Sequence, residues 1–445
     1  MSEPTSFFTL ESVTINSSRQ INEVNITGLV SDITIYENMD LPFLTGELAF
    51  IDDKRLLERL DIMGGEFITI TLTTKQGGDP VIKRFCIERL DNATKVNERA
   101  EAVVLTLIED IGFISNFKNV NRGYDGNPIH ILNKISVDYL GVDTHYLHET
   151  VQFQRDMKMI VPNMHPIEAM MWIKNRLTDD AGYPAYLFST LHLDGLKVGV
   201  LSDLIDQVPL NKRQPFIYGA NANIANEIMI DKQNFNPLPI EDYSYDDKAK
   251  MFNLIHDGVV GAKYQFYDAL TGRIDYHDFS FLDDVAANYL DQTKPTTVPQ
   301  SLEFDEVNVA SNTSRVISRV TSSGAYNNGM ESRKTIDEEN NIANYKKRLT
   351  AYAIKKHLQE SGNITIRVKG QGFLSPGVHK TIGNVYRILF FANRAVQENE
   401  IPIDKKKSGD YMIHSIKHVF GNERYDVHLT GCKLQHMKQD VVSVE

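Results

Sequence analysis

Thirteen histidines and two cysteines are the raw material for metal or nucleophilic chemistry in this chain. His414 and His418 lie four apart in a β-like stretch and so share a strand face. At ~3.3 Å rise per residue their Cβ atoms stand about 13 Å apart, too far to hold one zinc. Asp275, His277 and Asp278 cluster beside a hairpin, and His145 and His148 lie near Asp143 and Glu149. Either group has donors for a cation, but a solvated strand edge explains both with fewer assumptions. Cys86 and Cys432 lie far apart in sequence, match no metal or redox spacing and read as small buried hydrophobes. Acidic pairs recur at Asp52-Asp53, Asp179-Asp180, Asp246-Asp247 and Asp283-Asp284. Adjacent carboxylates point in different directions and make no acid/base couple; helix starts account for most of them.

The nucleotide and hydrolase signatures are missing. There is no Gly-x-x-x-x-Gly-Lys-Ser/Thr, no His-Glu-x-x-His and no Gly-x-Ser-x-Gly. Gly370-Gln371-Gly372 lacks a third glycine and reads as a turn. Trp172, beside Met170 and Met171, reads as helix packing, and Lys405-Lys406-Lys407 as a solvated loop. No catalytic, cofactor-binding or metal residue is assigned, and the chain reads as a non-enzyme that needs no cofactor.

The elements are mostly strands. Val24, Ile26, Val30, Ile33 and Ile35 form a long β pattern whose phase shifts near Gly28, as at a bulge. After a loop at 38–42, strands are predicted at 46–51, 67–73, 82–90 and 102–108, with a short helix at 54–60 capped by Asp52-Asp53. That makes five strands and one helix, a small sandwich or barrel. Asn127-Pro128 and His165-Pro166 open two helices, and 185–191 with 196–201 form a hairpin around Asp194-Gly195. Beyond 230 the pattern predicts a helix at 247–256, a hairpin at 259–281, loop-rich sequence at 283–345 and a helix ending at Gly362. Final strands follow at 363–370, 385–391, 411–420 and 425–429.

The chain has 445 residues, enough for two to four domains. Its hydrophobic content of 42% with 24% charged residues is that of a globular protein rather than a disordered one. With 47 basic and 59 acidic residues the net charge is −12, which argues against gripping a nucleic-acid backbone. The first residues lack the basic and apolar regions of a secretory signal, and no apolar run nears the ~20 residues of a membrane span. Synthesis in a reducing cytosol is expected. No short repeat is present.

Three segments together resemble a known family. The first is Gly28-Leu29-Val30-Ser31-Asp32-Ile33-Thr34-Ile35-Tyr36-Glu37-Asn38, continuing through Leu41-Pro42-Phe43-Leu44-Thr45-Gly46 to Ile51-Asp52-Asp53. The second is Tyr186-Leu187-Phe188-Ser189-Thr190-Leu191 with Gly195-Leu196. The third joins Val368-Lys369-Gly370 and Leu374-Ser375-Pro376-Gly377 to Ser408-Gly409-Asp410-Tyr411-Met412-Ile413 and His418. In this order they resemble the baseplate central hub of T-even-like contractile-tailed bacteriophages, and more loosely the hub part of type VI secretion spike proteins.

The resemblance implies a fold that is mainly β with α+β insertions: two tail-tube-like β-barrel or sandwich domains plus an inserted α+β domain. It places the first tube-like domain at 1–117, the α+β insertion at 118–229 and the second tube-like domain at 230–435. That second domain is interrupted around 283–345, and a tail follows at 436–445. It implies a homotrimer whose six similar domains form a ring between the tail tube protein and the central spike protein, with tape-measure and baseplate wedge proteins as further partners. DNA would pass through without specific binding, helped by an acidic channel wall. The protein would be made in the host cytoplasm, would not insert into a membrane and would reside in the virion tail. Glu37, Asn38, Leu41, Pro42 and Phe43 are expected in a loop that reaches a neighbouring subunit. Two other readings stay open: a hub of a phage-derived injection particle that moves an effector, and a tail-associated carbohydrate-binding or carbohydrate-cleaving β-protein.

Overall fold

The computed structural model describes residues 8–17, 23–74, 78–96, 100–146, 157–179, 182–212, 214–219, 238–246, 251–268, 272, 274–286, 303–304, 307–308, 315–321, 342–360, 363–370, 372–374, 380–391, 403–404, 406–421 and 424–436. The fold is mainly β. The N-terminal strands are β1 (Thr9–Asn16), β2 (Val24–Asn25), β3 (Val30–Asn38), β4 (Thr45–Asp52), β5 (Phe67–Thr73), β6 (Val81–Lys95) and β7 (Glu101–Glu109). They form one continuous sheet in the order β2-β1-β5-β6-β7-β4-β3. Alternation puts Ile68, Ile70 and Leu72 of β5 and Val103, Leu105 and Leu107 of β7 into a common core. Each such side chain contributes about 1.5–3 kcal/mol when fully buried.

Three expectations for this region change. β1 is a strand that the hydrophobic pattern does not announce, because a bulge between Leu10 and Ser12 breaks its alternation. The phase shift near Gly28 is a 3-10 turn, Thr27–Leu29, between β2 and β3 rather than a bulge within one strand. The short helix α1 (Leu56–Leu60) is present but starts two residues later than expected. Arg55 sits in the left-handed region at φ 55°, so the helix cannot extend back through it. The Asp52 carboxylate accepts the N–H groups of Leu56 at 2.8 Å and Leu57 at 3.1 Å, which caps the first turn.

Next come α2 (Asp110–Ser115), β8 (Gly123–Gly126), α3 (Pro128–Ile135), β9 (Thr144–Tyr146), β10 (Met157–Ile160), α4 (Pro166–Lys174), β11 (Ala185–Ser189), β12 (Leu196–Val200) and α5 (Leu201–Ile205). These elements mix helices with short strands. Asn127 caps α3 by accepting the Ile129 N–H at 2.9 Å, with proline in the first turn. β11 and β12 form the expected hairpin, paired from Ala185↔Val200 to Ser189↔Leu196, and β9 adds to β12 in parallel. Trp172 is half-buried against the core, with the Arg176 guanidinium 4.3 Å from its ring.

The remaining elements are β13 (Phe216–Tyr218), β14 (Leu238–Asp246), α6 (Met251–His256), β15 (Gly261–Asp268), β16 (Ile274–Ser280), β17 (Glu303–Phe304), β18 (Val307–Asn308), β19 (Arg315–Thr321), α7 (Ile342–Glu360), β20 (Asn363–Lys369), β21 (Val385–Phe390), β22 (Gly409–Gly421) and β23 (Arg424–His436). Six of these strands close a barrel in the order β22-β21-β13-β14-β20-β23, with β23 pairing back to β22. β13 lies within the span expected for the insertion, yet it pairs with β14 and β21 in the barrel. The stretch around 283–345, expected as loop-rich, contributes β19, which pairs in parallel with β15 beside the β15–β16 hairpin, and the first turn of α7. The proposed helix start at 247–250, the turn residues Leu270-Thr271, the 311–314 and 322–329 stretches and the 437–445 tail lie outside the described residues.

The N-terminal sheet and the barrel are joined edge to edge. β3 runs antiparallel to β22 from Asp32↔Gly421 to Asn38↔Ser415.

Candidate functional site

The expected contact loop connects β3 to β4 beside this seam. It is short and pinned at both ends. The Asn38 side chain accepts the Asp40 N–H at 2.9 Å, and the Met39 N–H donates to the His414 carbonyl at 3.0 Å. At the other end the Leu44 N–H donates to Glu109 Oε2 at 2.8 Å, and the Glu109 N–H returns to the Leu44 carbonyl at 2.8 Å. Asp40 pairs with Lys355 of α7. Met39 and Leu44 anchor the loop in the core.

The five residues expected at a subunit contact therefore separate. Leu41 is exposed, Asn38 and Phe43 are half-buried, and Pro42 is buried. Phe43 packs over Gly112, where a Cβ would lie 3.0 Å from its ring. Glu37 corrects the expectation: it is fully buried and engaged inside the protomer. Its Oε1 accepts the Leu191 N–H at 2.7 Å from the β11–β12 turn, and its Oε2 accepts the Ile382 N–H at 3.2 Å from the segment before β21. His418 Nε2 of β22 stands 3.6 Å from Oε1, and His418 Nδ1 meets the Tyr425 hydroxyl at 2.8 Å. One carboxylate thus ties the N-terminal sheet, the insertion and the barrel together. Burial pushes Glu37 up, but the His418 ring, the Leu191 N–H and the charge of His192 outweigh it and hold it below the ordinary carboxylate range.

A second buried carboxylate sits at the far end of the loop. Glu109 pairs with Lys83 at 3.4 Å, and both are buried. Lys83 also donates to the Leu193 carbonyl at 2.6 Å and faces Asp194 at 3.7 Å. Here burial dominates over the Lys83 charge and the Leu44 N–H, so Glu109 is raised above the ordinary range. The turn at 191–195 is thereby gripped by Glu37 and by Lys83. Gly195 permits the tight approach: its φ is 135°, and a Cβ there would lie 2.4 Å from the Asp143 carbonyl.

Neither acidic site has the form of a reactive centre. Glu37 accepts two backbone N–H groups beside the His418 ring, and Glu109 accepts one backbone N–H and pairs with Lys83, which is how a structural node looks. His414 and His418 do not work as a pair: a bulge between Ile413 and Ser415 breaks the phase between them. Among the described residues no three His, Cys, Asp or Glu side chains gather at a metal-like spacing. Cys86 and Cys432 are buried free thiols, and burial pushes them up to about 11 and about 12. No helix among the described residues is long and apolar enough to cross a membrane.

The sequence did carry a signal for these nodes. Glu37 is in phase with Ile33, and His418 with Ile416 and Phe420, so each is a polar residue at an inward position.

No protein-family model and no curated protein matches the sequence. Solved structures do match over nearly the whole chain. A 43 kDa tail protein of prophage MuSo2 from Shewanella oneidensis aligns with a TM-score of 0.50 at 10% identity, covering 95% of this chain and 98% of that one. A tail protein from Neisseria meningitidis MC58 aligns at 0.49 and 11% identity, covering 96% and 97%. The E. coli c3393 protein, a type VI secretion component, aligns at 0.41 and 6% identity, covering 97% and 77%. The likeness to the Shewanella protein shows the fold: this chain has the fold of a phage tail protein.

Proposed function

We propose that this protein is a structural component of a contractile tail, the central hub of its baseplate. Three copies form a ring in which each contributes its N-terminal sheet and its barrel, so that six β units meet a tail tube on one side and a trimeric spike on the other. The observation that carries this reading is the agreement of fold from end to end, 95% of this chain on 98% of the Shewanella tail protein. Two β units fused side by side in one chain support it, because three such chains supply a pseudo-sixfold ring. The protein does no catalysis in this role. Its net charge of −12 per chain favours an acidic channel through which DNA slides rather than adheres.

The test is the native mass in solution, followed by imaging. A species at three times 50.5 kDa that shows a central channel is expected. A stable dimer fits neither the tube nor the spike and overturns the reading. A basic channel wall removes the part of the proposal that concerns DNA.

A further inference from the structure

The outer half of β6 is paired on one side only among the described residues. β5 covers β6 only from Val81 to Cys86, whereas β7 follows it out to Lys95. From Glu88 to Lys95 every residue is exposed. This stretch therefore shows water both faces and, along one edge, backbone groups that pair with no described strand. A two-stranded ribbon open on both faces is marginal by itself, and a long open edge is a template for another strand. Leu90 stands 43% exposed on it and Val96 at its end 56%.

The barrel has a second open edge. β13 pairs with β14 only at Leu238 and Pro239, so from Ile240 to Asp246 that side of β14 meets no described strand. Counting round the barrel, β14 lies three strands from β22 in either direction, which puts it opposite the seam. In the N-terminal sheet the free edge of β6 is separated from the seam by β7 and β4. Each chain thus has an internal edge-to-edge joint at β3–β22 and, on each side of it, a strand segment with an edge that pairs with no described strand.

From this geometry we infer that the 88–95 edge of β6 pairs with the 240–246 edge of β14 in a second copy of the chain, repeating between protomers the joint that β3 and β22 make within one. The second copy is the occupant because the chain carries both halves of the joint, on opposite sides of the seam, as a head-to-tail ring requires. The charged side chains exposed on the β14 edge are all carboxylates, Glu241, Asp242 and Asp246, and the β6 stretch exposes Arg89 and Lys95 to meet them, beside Glu88 and Asp91. The inference rests on the ring proposed above and names the contacts that close it.

The test uses the full chain with Ala93→Cys and Ser244→Cys, alone and together, treated with a flexible bismaleimide. The wild-type chain is the control, since Cys86 and Cys432 are buried. The expected result is a shift of the single-chain band to two- and three-chain bands in the double variant, absent from either single variant. Linking by Ala93→Cys alone overturns the inference, because two β6 edges would then meet each other. No linking in a sample with the native mass of a ring overturns the pairing and leaves the ring standing. A folded sample that stays monomeric at every concentration overturns both.

Discussion

The N-terminal sheet and the barrel use similar strands to opposite ends. The sheet draws all seven strands from residues 9–109, in near-contiguous order, and leaves edges open. The barrel gathers six strands from 216 to 436, across long insertions, and closes on itself. Local pairing forms early and cheaply in chain entropy, whereas the barrel must close long loops before its contacts form. The closed unit also buries Tyr386, Tyr411 and Tyr425 completely, while the largest fully buried rings of the open unit are Phe50 and Phe85. The lesson is that the sheet can fold as a local unit but ends in unfinished edges, and the barrel closes its ring of strands, save along the outer part of β14, but depends on distant parts arriving.

Substitutions at the seam test that contrast most severely. Glu37→Ala strips the partner from two buried N–H groups and from His418, and about 3–5 kcal/mol of stability should be lost. Urea unfolding would then show two transitions, with the sheet and the barrel uncoupled; a single unshifted transition would show that the carboxylate ties nothing. Gly370→Ala attacks barrel closure alone. A Cβ there would lie 2.0 Å from the Tyr425 ring of β23, and overpacking of about 1–3 kcal/mol should appear in the barrel's transition and not in the sheet's.

Acid separates the two carboxylate nodes by sign. Glu37 is held below its unfolded value of 4.5, so its contribution is present above that pH and is lost as pH falls through its folded value. Glu109 is raised, so the native state takes up its proton first, and stability rises as pH falls from its folded value towards 4.5. Melting curves against pH should lose the low-pH decline in Glu37→Gln and lose the gain above 4.5 in Glu109→Gln. Identical profiles would show that neither node titrates as argued.

Smaller effects should stay within the sheet. Asp52→Ala removes the cap of α1 and should cost about 0.5–2 kcal/mol, read as a lower Tm of the sheet with Trp172 fluorescence in the insertion unchanged. Leu41→Ser, at an exposed loop position, should change stability by less than about 0.5 kcal/mol. A loss of native mass without a loss of Tm would then mark Leu41 as a subunit contact, and unchanged assembly would remove it from the interface.

Much of the sheet and the hairpins was legible because alternation and turn residues are local signals. β11–β12, α3 and the run of strands from β4 to β7 follow directly from such patterns. The barrel was less legible for physical reasons. β13 is three residues long and pairs only in parallel, and β14 carries Pro239 and three acidic residues, so neither has a β signature of its own. The 37–43 segment was legible as a loop entry, but the burial of Glu37 was not. Nothing in Glu37-Asn38-Met39-Asp40 states that partners 154 and 345 residues away will claim the Glu37 carboxylate.

The shared strand β22 has a mechanical consequence. It pairs with β23 along its length, with β21 at its start and with β3 at its end. A thrust directed along the strands loads the seven residue pairs of the β3–β22 joint at once, in shear, whereas a pull across them would peel the joint open one pair at a time. A part built this way is strong along one axis and weak along another, and the direction of β22 is the direction in which it can bear load.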